Sequence, residues 1–214
     1  ADTKQEEVLA LIDKLNADPE INGLMVQLPA PEQIDADALL KRIDPNKDVD
    51  ALTPANIGQL WMENHFVEPA TAEGIIALLK HYQITLAGKR VVVIGRSNIV
   101  GKPVAALMLE ENATVTVCHL YTKNLAEITR QADIVVSATG QAFLVTADMV
   151  KDGAVVVDVG MNHVNGKLVG DVDFDNVKEK ASYITPVPGG VGPLTVQFLM
   201  EAVVKLTRRQ NGRE

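Results

Sequence analysis

The pattern of apolar and polar residues differs between two parts of this chain. Between residues 90 and 184, short and almost continuously apolar runs alternate with stretches that have a helical repeat. The apolar runs predict strands at residues 91–94, 114–118, 134–137, 154–159 and 182–184. The helical stretches lie near residues 102–110, 124–131, 147–150 and 174–180. Because strands covered by helices on both faces are apolar throughout, the pattern predicts an α/β fold with a doubly wound, Rossmann-type parallel sheet.

The first ninety residues have a different pattern. A helix is predicted over residues 4–16, with four apolar side chains on one face: Val8, Leu11, Ile12 and Leu15. Residues 24–26 predict a short buried strand, and Asp35 is placed to cap a helix that runs to about Ile43. Residues 73–82 predict a further helix.

The two patterns predict two α/β units. A smaller, truncated substrate domain is expected over residues 1–84, and the Rossmann-type cofactor domain over residues 85–193. The last segment, 194–214, is expected to form a helix over about 194–208 that returns to the first domain. One apolar strand cannot make a stable sheet alone, and the chain begins at Ala1 without a methionine. We therefore expect strand partners upstream of the given sequence.

The segment 91–103, VVVIGRSNIVGKP, has the pattern of a phosphate-binding turn. A buried strand ends at Gly95 and a helix is expected to begin near Gly101, so the backbone N–H groups between them should point at open space. Such donors and the helix dipole favour an anion. The spacing reads G-R-S-x-x-x-G and meets the general dinucleotide motif only in part, so a plain strand–turn–helix corner is the alternative.

Two other segments have the composition of binding loops. In MVQLPAP, residues 25–31, Gln27 follows a strand and carries both a donor and an acceptor that a heterocycle can use. In TPVPGGVGP, residues 185–193, glycines and prolines specify a fixed backbone that a flat ligand can approach closely. The alternatives are loop stabilisation for Gln27 and a rigid connector for the second segment.

The segment DPNKDVDALTP, residues 44–54, carries two neighbouring carboxylates. Asp48 and Asp50 flank Val49, so an extended backbone would put both on one face. Two like charges on one face are unfavourable. We therefore expect one carboxylate to brace the loop and the other to bind a ligand, by pairing with the N–H and amino edge of a pterin-like ring. A solvated acidic turn is the alternative.

Polar or glycine-containing loops follow four of the predicted strands, at residues 95–97, 119–122, 139–140 and 160–162. The carboxyl ends of parallel strands meet at one edge of a sheet, where open α/β folds bind their ligands. The sequence therefore predicts a ligand site at that edge.

Charge and composition narrow the possible partners. A net charge of −8 and a pI near 5.0 argue against nucleic acid or an anionic membrane, so a bound anion must be held by local cations such as Arg96 and Lys102. Cys118 is the only cysteine, which excludes an intrachain disulfide and fits a reducing cytoplasm. The four histidines have no metal-ligand spacing, and no metal is expected. No apolar run has the length of a membrane span.

The end of the second predicted strand bears on cofactor choice. NAD-binding domains often carry an acid about 20 residues beyond the glycine motif, where it binds the ribose hydroxyls. Here the corresponding residues, 118–122, read C-H-L-Y-T and contain no acid. Arg96 lies inside the glycine turn, where it can face a 2′-phosphate. NADP is therefore the expected cofactor, with NAD as the alternative.

Five motifs, in this order, resemble the bifunctional methylenetetrahydrofolate dehydrogenase/cyclohydrolase family: VQLP, KDVD, GRSNIVGKP, DVG-x-N and TPVPGGVGP. The resemblance spans essentially the whole chain. It implies NADP- or NAD-dependent oxidation of 5,10-methylenetetrahydrofolate and hydrolysis of the methenyl product to 10-formyltetrahydrofolate. It also implies two α/β domains with the folate in the cleft between them, and a cytoplasmic homodimer formed through the cofactor domain that serves purine biosynthesis.

The resemblance assigns roles residue by residue. It places Gln27 and Asp50 on catalytic, folate-binding positions. The loop residues Pro188, Gly189 and Gly190 match positions that close the site on the substrate. Cofactor binding is implied for six residues: Gly95, Arg96, Ser97, Leu120, Met161 and Thr195.

The chain departs from the family pattern at several positions. The family usually has Leu at Ala30 and Gly at Ala51, and its P-C-T-P stretch reads P-A-T-A at residues 69–72. Leu120 stands where many members carry a Ser that holds the 2′-phosphate, and it cannot donate a hydrogen bond. Tyr121 can stack on adenine instead, which keeps NAD open.

The family's catalytic lysine belongs to a Tyr-x-x-x-Lys motif that this sequence does not contain. Hydrolysis is therefore expected to be impaired, and neither Lys47 nor Lys102 is expected to replace that lysine. The alternatives are a non-catalytic cofactor- or folate-binding fragment, or another Rossmann-type dehydrogenase of the amino-acid or shikimate type.

Overall fold

The computed structural model describes residues 3–212, which form two compact units. The first unit comprises the described residues up to Ala70 and those from Phe198 onward, and the second comprises Thr71–Gln197. Residues 71–84 thus belong to the second unit, whereas the sequence analysis assigns them to the first domain; the domain boundaries stay a prediction.

A five-stranded parallel sheet forms the centre of the second unit, as the alternating pattern predicts. Its strands are β1 (Arg90–Ile94), β2 (Thr114–Cys118), β3 (Ile134–Ser137), β4 (Val155–Asp158) and β7 (Tyr183–Ile184). The order across the sheet is β2-β1-β3-β4-β7. Ile94 is in register with both Cys118 and Ser137, and Ser137 with Asp158, so four strands end level at one edge.

The helices of the second unit lie where the sequence predicts them, and several are shorter. They are α4 (Ala70–His81), which begins at the last residue of the first unit, α5 (Gly101–Glu110), α6 (Leu125–Thr129), a 3₁₀ turn (Ala147–Met149) and α7 (Phe174–Val177). One core beneath them contains Val92, Cys118, Val135 and Val156, all at most 3% exposed. Burial of both sheet faces explains why the strands are apolar throughout.

A two-stranded antiparallel hairpin, which is not among the predicted elements, follows β4. It consists of β5 (Asn162–Val164) and β6 (Lys167–Val169). Its turn residues Asn165 and Gly166 both have positive φ, at 50° and 76°. Asn-Gly is the preferred pair for such a turn, so the sequence did carry a signal for the hairpin.

The first unit contains α1 (Gln5–Ala17), α2 (Ala36–Arg42), α3 (Pro54–Trp61) and the end of α8 (Val191–Gln210). Asp35 caps α2 as predicted, because its side chain accepts hydrogen bonds from the backbone N–H groups of Asp37 and Ala38. Thr53 caps α3, and Pro54 is its first residue, which is a favourable start that the sequence analysis does not use.

The strand predicted over residues 24–26 is wrong. Leu24 makes only an isolated parallel bridge, with Asp48, which lies downstream of it. The pairing ends after one residue because the partner segment turns at Ala51, whose φ is 54°, and enters α3. Leu24 still packs against a core of Ile12, Leu39 and Leu52, so its apolar character reflects burial without a sheet.

No helix among residues 3–212 is both long enough and apolar enough to cross a membrane.

Candidate active site

Glycines allow β1, β3 and α5 to approach one another closely at the carboxyl edge of the sheet. A Cβ on Gly95, whose φ is 121°, would lie 2.3 Å from the carbonyl oxygen of Ala138. A Cβ on Gly101 would lie 2.2 Å from the carbonyl oxygen of Gly95. Both glycines of the G-R-S-x-x-x-G motif are thus required by the packing of this corner, which brings the loops after β1 and β3 into contact.

The first N–H groups of α5 do not point at open space, contrary to the sequence-based expectation. The N–H groups of Val100 and Gly101 donate to Ser97 Oγ, at 3.1 and 3.2 Å, and that of Lys102 donates to the Ser97 carbonyl at 3.0 Å. Ser97 therefore holds the start of the helix. Its hydroxyl proton can still be donated to an anion, since a hydroxyl has one donor beside its lone pairs.

The two local cations of this loop differ. Lys102 Nζ donates to Asn98 Oδ1 at 2.6 Å and so stabilises the loop internally. Arg96 is exposed directly before Ser97. Arg96 is therefore the better placed of the two to meet a bound anion.

The loop after β2 lies beside the glycine turn, because Gly95 N–H donates to the Cys118 carbonyl at 2.9 Å. A tight turn follows, in which His119 N–H donates to Thr122 Oγ1 at 2.8 Å and Tyr121 N–H to His119 Nδ1 at 3.2 Å. The turn leaves Leu120 89% and Tyr121 75% exposed. Both side chains are free to contact a ligand at this end of the sheet.

The loops after β4 and β7 carry the remaining predicted residues of the second unit. Met161 follows the end of β4 and is 72% exposed. Pro188 is joined to Val187 by a cis peptide bond, and Gly189 has a φ of 98°. A Cβ on Gly190 would lie 2.5 Å from the Pro186 carbonyl oxygen, so this loop has the fixed backbone that its composition predicts. Thr195 lies in α8, where its hydroxyl is 3.0 Å from that of Thr71.

In the first unit, Asp48 and Asp50 have different environments. Asp48 is 1% exposed and accepts hydrogen bonds from Thr53 N–H at 2.7 Å and Asn56 Nδ2 at 3.0 Å, so it braces the start of α3. Burial and the neighbouring Asp48 charge raise the pKa of Asp50 to about 6, against the lowering effect of the Ala70 N–H. A carboxyl group with a strongly shifted pKa is a candidate for ligand binding.

Gln27 is exposed, and its Nε2 donates to the Leu28 carbonyl at 3.1 Å, which leaves its oxygen available. Lys47 is buried, and its Nζ donates to the carbonyls of Leu15, Asn16 and Asp18 at 2.7 to 3.0 Å. Those contacts are structural, and the expectation that Lys47 is not a substitute catalytic lysine stays a prediction.

The structure thus gathers Gly95, Arg96, Ser97, Leu120 and Met161 at one edge of the second unit. Sequence reasoning missed the two buried aspartates of that edge, Asp158 and Asp171. The sequence does carry a signal for Asp158, because this residue ends an apolar strand and begins the DVG motif. Among residues 3–212, no group of three His, Cys, Asp or Glu side chains is placed to hold a metal ion.

The sheet order, and the glycine-lined loops at the carboxyl edge, define a Rossmann-type dinucleotide-binding protein. Residues 69–211 match the NAD(P)-binding domain of tetrahydrofolate dehydrogenase/cyclohydrolase, and residues 1–50 match its catalytic domain. The chain belongs to the tetrahydrofolate dehydrogenase/cyclohydrolase family. It is an enzyme of one-carbon folate metabolism with dehydrogenase and cyclohydrolase activities.

Individual relatives agree with this assignment. The bifunctional protein FolD of Lactobacillus acidophilus is 86% identical over 214 residues, which are all of this chain and 76% of that protein. The FolD structure from Campylobacter jejuni is 50% identical with a TM-score of 0.92, covering 97% of this chain and 75% of that one. The Trypanosoma brucei FolD structure, complexed with NADP cofactor and inhibitor, is 44% identical with a TM-score of 0.92, covering 97% and 74% of the two chains.

Proposed function

We propose that the protein oxidises 5,10-methylenetetrahydrofolate to 5,10-methenyltetrahydrofolate with NADP and hydrolyses the product to 10-formyltetrahydrofolate. The observation that carries the proposal is the carboxyl edge of the sheet, where the glycine turn, Ser97 and the exposed Arg96 form one loop.

NADP is preferred to NAD for three reasons. No acid follows β2 at residues 118–122, the guanidinium of Arg96 is exposed beside Ser97, and the Trypanosoma brucei relative was solved with NADP. We assign Gly95, Arg96 and Ser97 to the cofactor phosphates. The other proposed cofactor contacts are Leu120, Met161 and Thr195.

Tetrahydrofolate derivatives are the proposed substrates, bound by Gln27, Asp50 and the loop residues Pro188, Gly189 and Gly190. Asp50 is half-buried with a raised pKa, and it suits pairing with the N–H and amino edge of the pterin. The fixed backbone of the glycine loop supports close approach of a flat ring.

The dehydrogenase step needs no acid–base pair from the protein. A nicotinamide cofactor held at Gly95, Arg96 and Ser97 would supply the hydride-accepting chemistry for the methylene carbon of the folate. The residues of the chain bind and orient the two reactants and exclude water, which is how positioning lowers the barrier of such a transfer.

We further propose a cytoplasmic homodimer that serves purine biosynthesis. The single cysteine, Cys118, is buried and fits a reducing compartment. Dimerisation through the cofactor domain is supported by β2, an edge strand whose sequence TVTVC carries no charge or proline. At a net charge of −8, neither nucleic acid nor an anionic membrane is expected as a partner.

An absorbance assay with methylenetetrahydrofolate tests the function. Reduced nicotinamide and the methenyl product are followed, with NADP and NAD offered separately. Product formation with NADP is expected, and no signal with either cofactor would favour a non-catalytic protein.

Arg96→Ala tests the cofactor assignment in the same assay. It is expected to weaken NADP binding more than NAD binding, because only NADP carries the 2′-phosphate. Equal losses for both cofactors would remove Arg96 from the 2′-phosphate site.

A further inference from the structure

Two buried carboxylates lie at the carboxyl edge of the sheet and have no role in the proposed chemistry. Asp158 is the last residue of β4 and is 3% exposed. Asp171 follows β6 and is fully buried. We call this pair the acidic bridge, because the two residues are linked by a hydrogen bond from Asp171 N–H to Asp158 Oδ1 of 2.9 Å.

Asp171 ties the loop after β3 to the hairpin. Its Oδ2 accepts from Ser137 Oγ at 3.1 Å and from Thr139 twice, at 2.6 Å from the backbone N–H and 2.8 Å from the hydroxyl. Its Oδ1 accepts from Asn162 Nδ2 at 3.0 Å. One side chain therefore holds both the start of the loop after β3 and the start of the hairpin, at the edge where the cofactor is proposed to bind.

Asp158 completes the bridge toward β4 and β7. Its carboxylate accepts from the N–H groups of Gly160 and Val172, each at 2.9 Å, in addition to that of Asp171. Its own N–H donates to Thr185 Oγ1 at 2.7 Å, at the start of the glycine loop. The ends of β3, β4 and β7 are thus joined by hydrogen bonds.

The backbone is built closely around both carboxylates. A Cβ on Gly160 would lie 2.2 Å from Asp171 Oδ1, and a Cβ on Gly170 would lie 1.8 Å from Asp158 Oδ2. These positions leave space only for glycine. Gly160 and Gly170 are therefore required because the two carboxylates occupy the space that a Cβ would need.

Stability alone does not account for such an arrangement. Burying carboxylates is costly even when they are fully hydrogen-bonded, and apolar replacements of similar volume are often neutral or stabilising. Burial also raises the pKa of Asp158, because the charged carboxylate is less stable in the protein interior than in water. What the acidic bridge supplies is a fixed position for the loop after β3 and for the hairpin.

The affected loops are those that a dinucleotide meets in this topology. In the order β2-β1-β3-β4-β7, the direction of chain progression reverses between β1 and β3, and ligands bind at the carboxyl edge there. Ala138, next to Thr139, is in contact with Gly95 of the proposed phosphate turn. Thr139 and Met161 therefore lie on loops bordering the proposed cofactor.

We propose that Asp171 is a positioning residue for the nicotinamide cofactor, acting on the loop after β3 through Thr139 and on the loop after β4 through Asn162, the residue at which that loop ends. The inference rests on the proposed function. Losing Asp171 removes acceptors from Ser137, Thr139 and Asn162 at once, so both loops lose their fixed position. Cofactor binding should suffer more than folate binding.

The test compares three variants of the 214-residue chain: Asp171→Ala, Asp171→Asn and Asp133→Ala. KM for NADP, KM for methylenetetrahydrofolate, kcat and the thermal midpoint are measured for each. Asp171→Ala is expected to raise KM for NADP about ten-fold, which corresponds to a loss of about 1.4 kcal/mol in binding free energy. KM for the folate should change much less.

Asp171→Asn is the rescue variant. Its amide oxygen can take the place of Oδ2, and Asn162 can rotate its amide to accept from the new NH₂ group. It should therefore recover most of the cofactor affinity. It also keeps the test informative if the alanine variant does not fold.

Asp133→Ala is the matched control at the opposite end of the sheet. Asp133 accepts from Arg90 N–H at 2.8 Å and from Lys151 Nζ at 2.5 Å, just before the start of β3. Its loss should lower the thermal midpoint but leave KM for NADP unchanged. The control separates general loosening of the sheet from a specific effect on the cofactor.

Three results would overturn the inference: an unchanged KM for NADP in folded Asp171→Ala protein, a KM for NADP in Asp171→Asn that is raised as much as in Asp171→Ala, or an equal rise in Asp133→Ala. Failure of the proposed function can be distinguished from failure of this inference. In the first case the parent protein itself does not bind NADP in calorimetry.

Discussion

Individual side chains in this protein divide into those that hold loops and those that remain available to ligands. Asp48 and Asp50 show the division most clearly, since they are two residues apart. The carboxylate of Asp48 is used by Thr53 and Asn56, whereas Asp50 is penalised by burial and by the charge of Asp48. A residue kept in an unfavourable state is typical of a functional site, where stability is given up for activity.

Asp50→Asn should therefore stabilise the protein while impairing folate binding. The pKa of Asp50 is about 6 in the folded chain and 3.8 when unfolded, so ionisation favours unfolding. The penalty is absent below about pH 4, grows as the pH rises to about 6 and is constant above that. The variant should gain up to about 3 kcal/mol in the free energy of unfolding at about pH 8.

Urea denaturation at several pH values measures this gain. Asp48→Ala serves as the control and should be destabilised instead, because it leaves the N–H of Thr53 and the side-chain amide of Asn56 without their buried acceptor. A gain in Asp50→Asn that did not depend on pH would contradict the explanation.

Ser97→Ala should weaken both the fold and cofactor binding. The change removes the acceptor for the N–H groups of Val100 and Gly101 and is expected to cost about 1 kcal/mol of stability, as for the loss of a helix cap. KM for NADP should rise in the dehydrogenase assay, while Ser97→Thr, which keeps the hydroxyl, should retain most of both properties. Loss of stability with unchanged KM would restrict Ser97 to a structural role.

At the scale of residues, the sequence identifies the glycine turn because close approach leaves a local signature. Gly95 and Gly101 are separated by a fixed number of residues and are required by the strand–turn–helix corner. The acidic bridge has no such signature, since Asp158 and Asp171 meet only after the hairpin folds back. Nor does spacing reveal that Ser97 takes the donors of α5, because that depends on a side-chain rotamer.

Among the elements, those defined by their own sequence pattern could be predicted and those defined by a distant partner could not. The parallel strands lie where the apolar runs predict them. Residues 24–26 have the same apolar character, but Leu24 finds only one bridge partner before the opposite segment turns at Ala51. Apolar runs report burial, and burial in a sheet cannot be distinguished from burial under helices by composition alone.

Helix α1 depends on a side chain far along the chain. Lys47 Nζ donates to three carbonyls at the end of this helix, where a positive charge also complements the helix dipole. Lys47→Met should lower the free energy of unfolding by about 2 kcal/mol, since it leaves those partly buried carbonyls without their charged donor. The exposed Lys41 of α2 supplies the control, and Lys41→Met should have little effect.

Enzyme assays on the same variants separate structure from catalysis. KM for NADP should be unchanged in Lys47→Met, and any loss of activity should follow the loss of folded protein. A variant as stable as the parent but unable to hydrolyse the methenyl compound would instead make Lys47 catalytic.

For the whole molecule, the least protected surface of the second unit is the outer edge of its sheet. Strand β2 is five residues long, and its residues Thr114, Thr116 and Val117 are exposed. Edge strands that stay single are usually short, charged, bulged or interrupted by proline. The opposite edge strand, β7, is only two residues long, so its shortness protects it.

The proposed homodimer should therefore form through β2. Val117 is 39% exposed, and Val117→Lys places a charge on that edge without disturbing a buried position. Light scattering after size-exclusion chromatography should show a dimer for the parent and a monomer for the variant. Tyr183→Lys puts the same charge on β7, at a residue 46% exposed, and should remain dimeric. A monomeric Tyr183→Lys beside a dimeric Val117→Lys would move the interface to the other edge, and a monomeric parent would refute it.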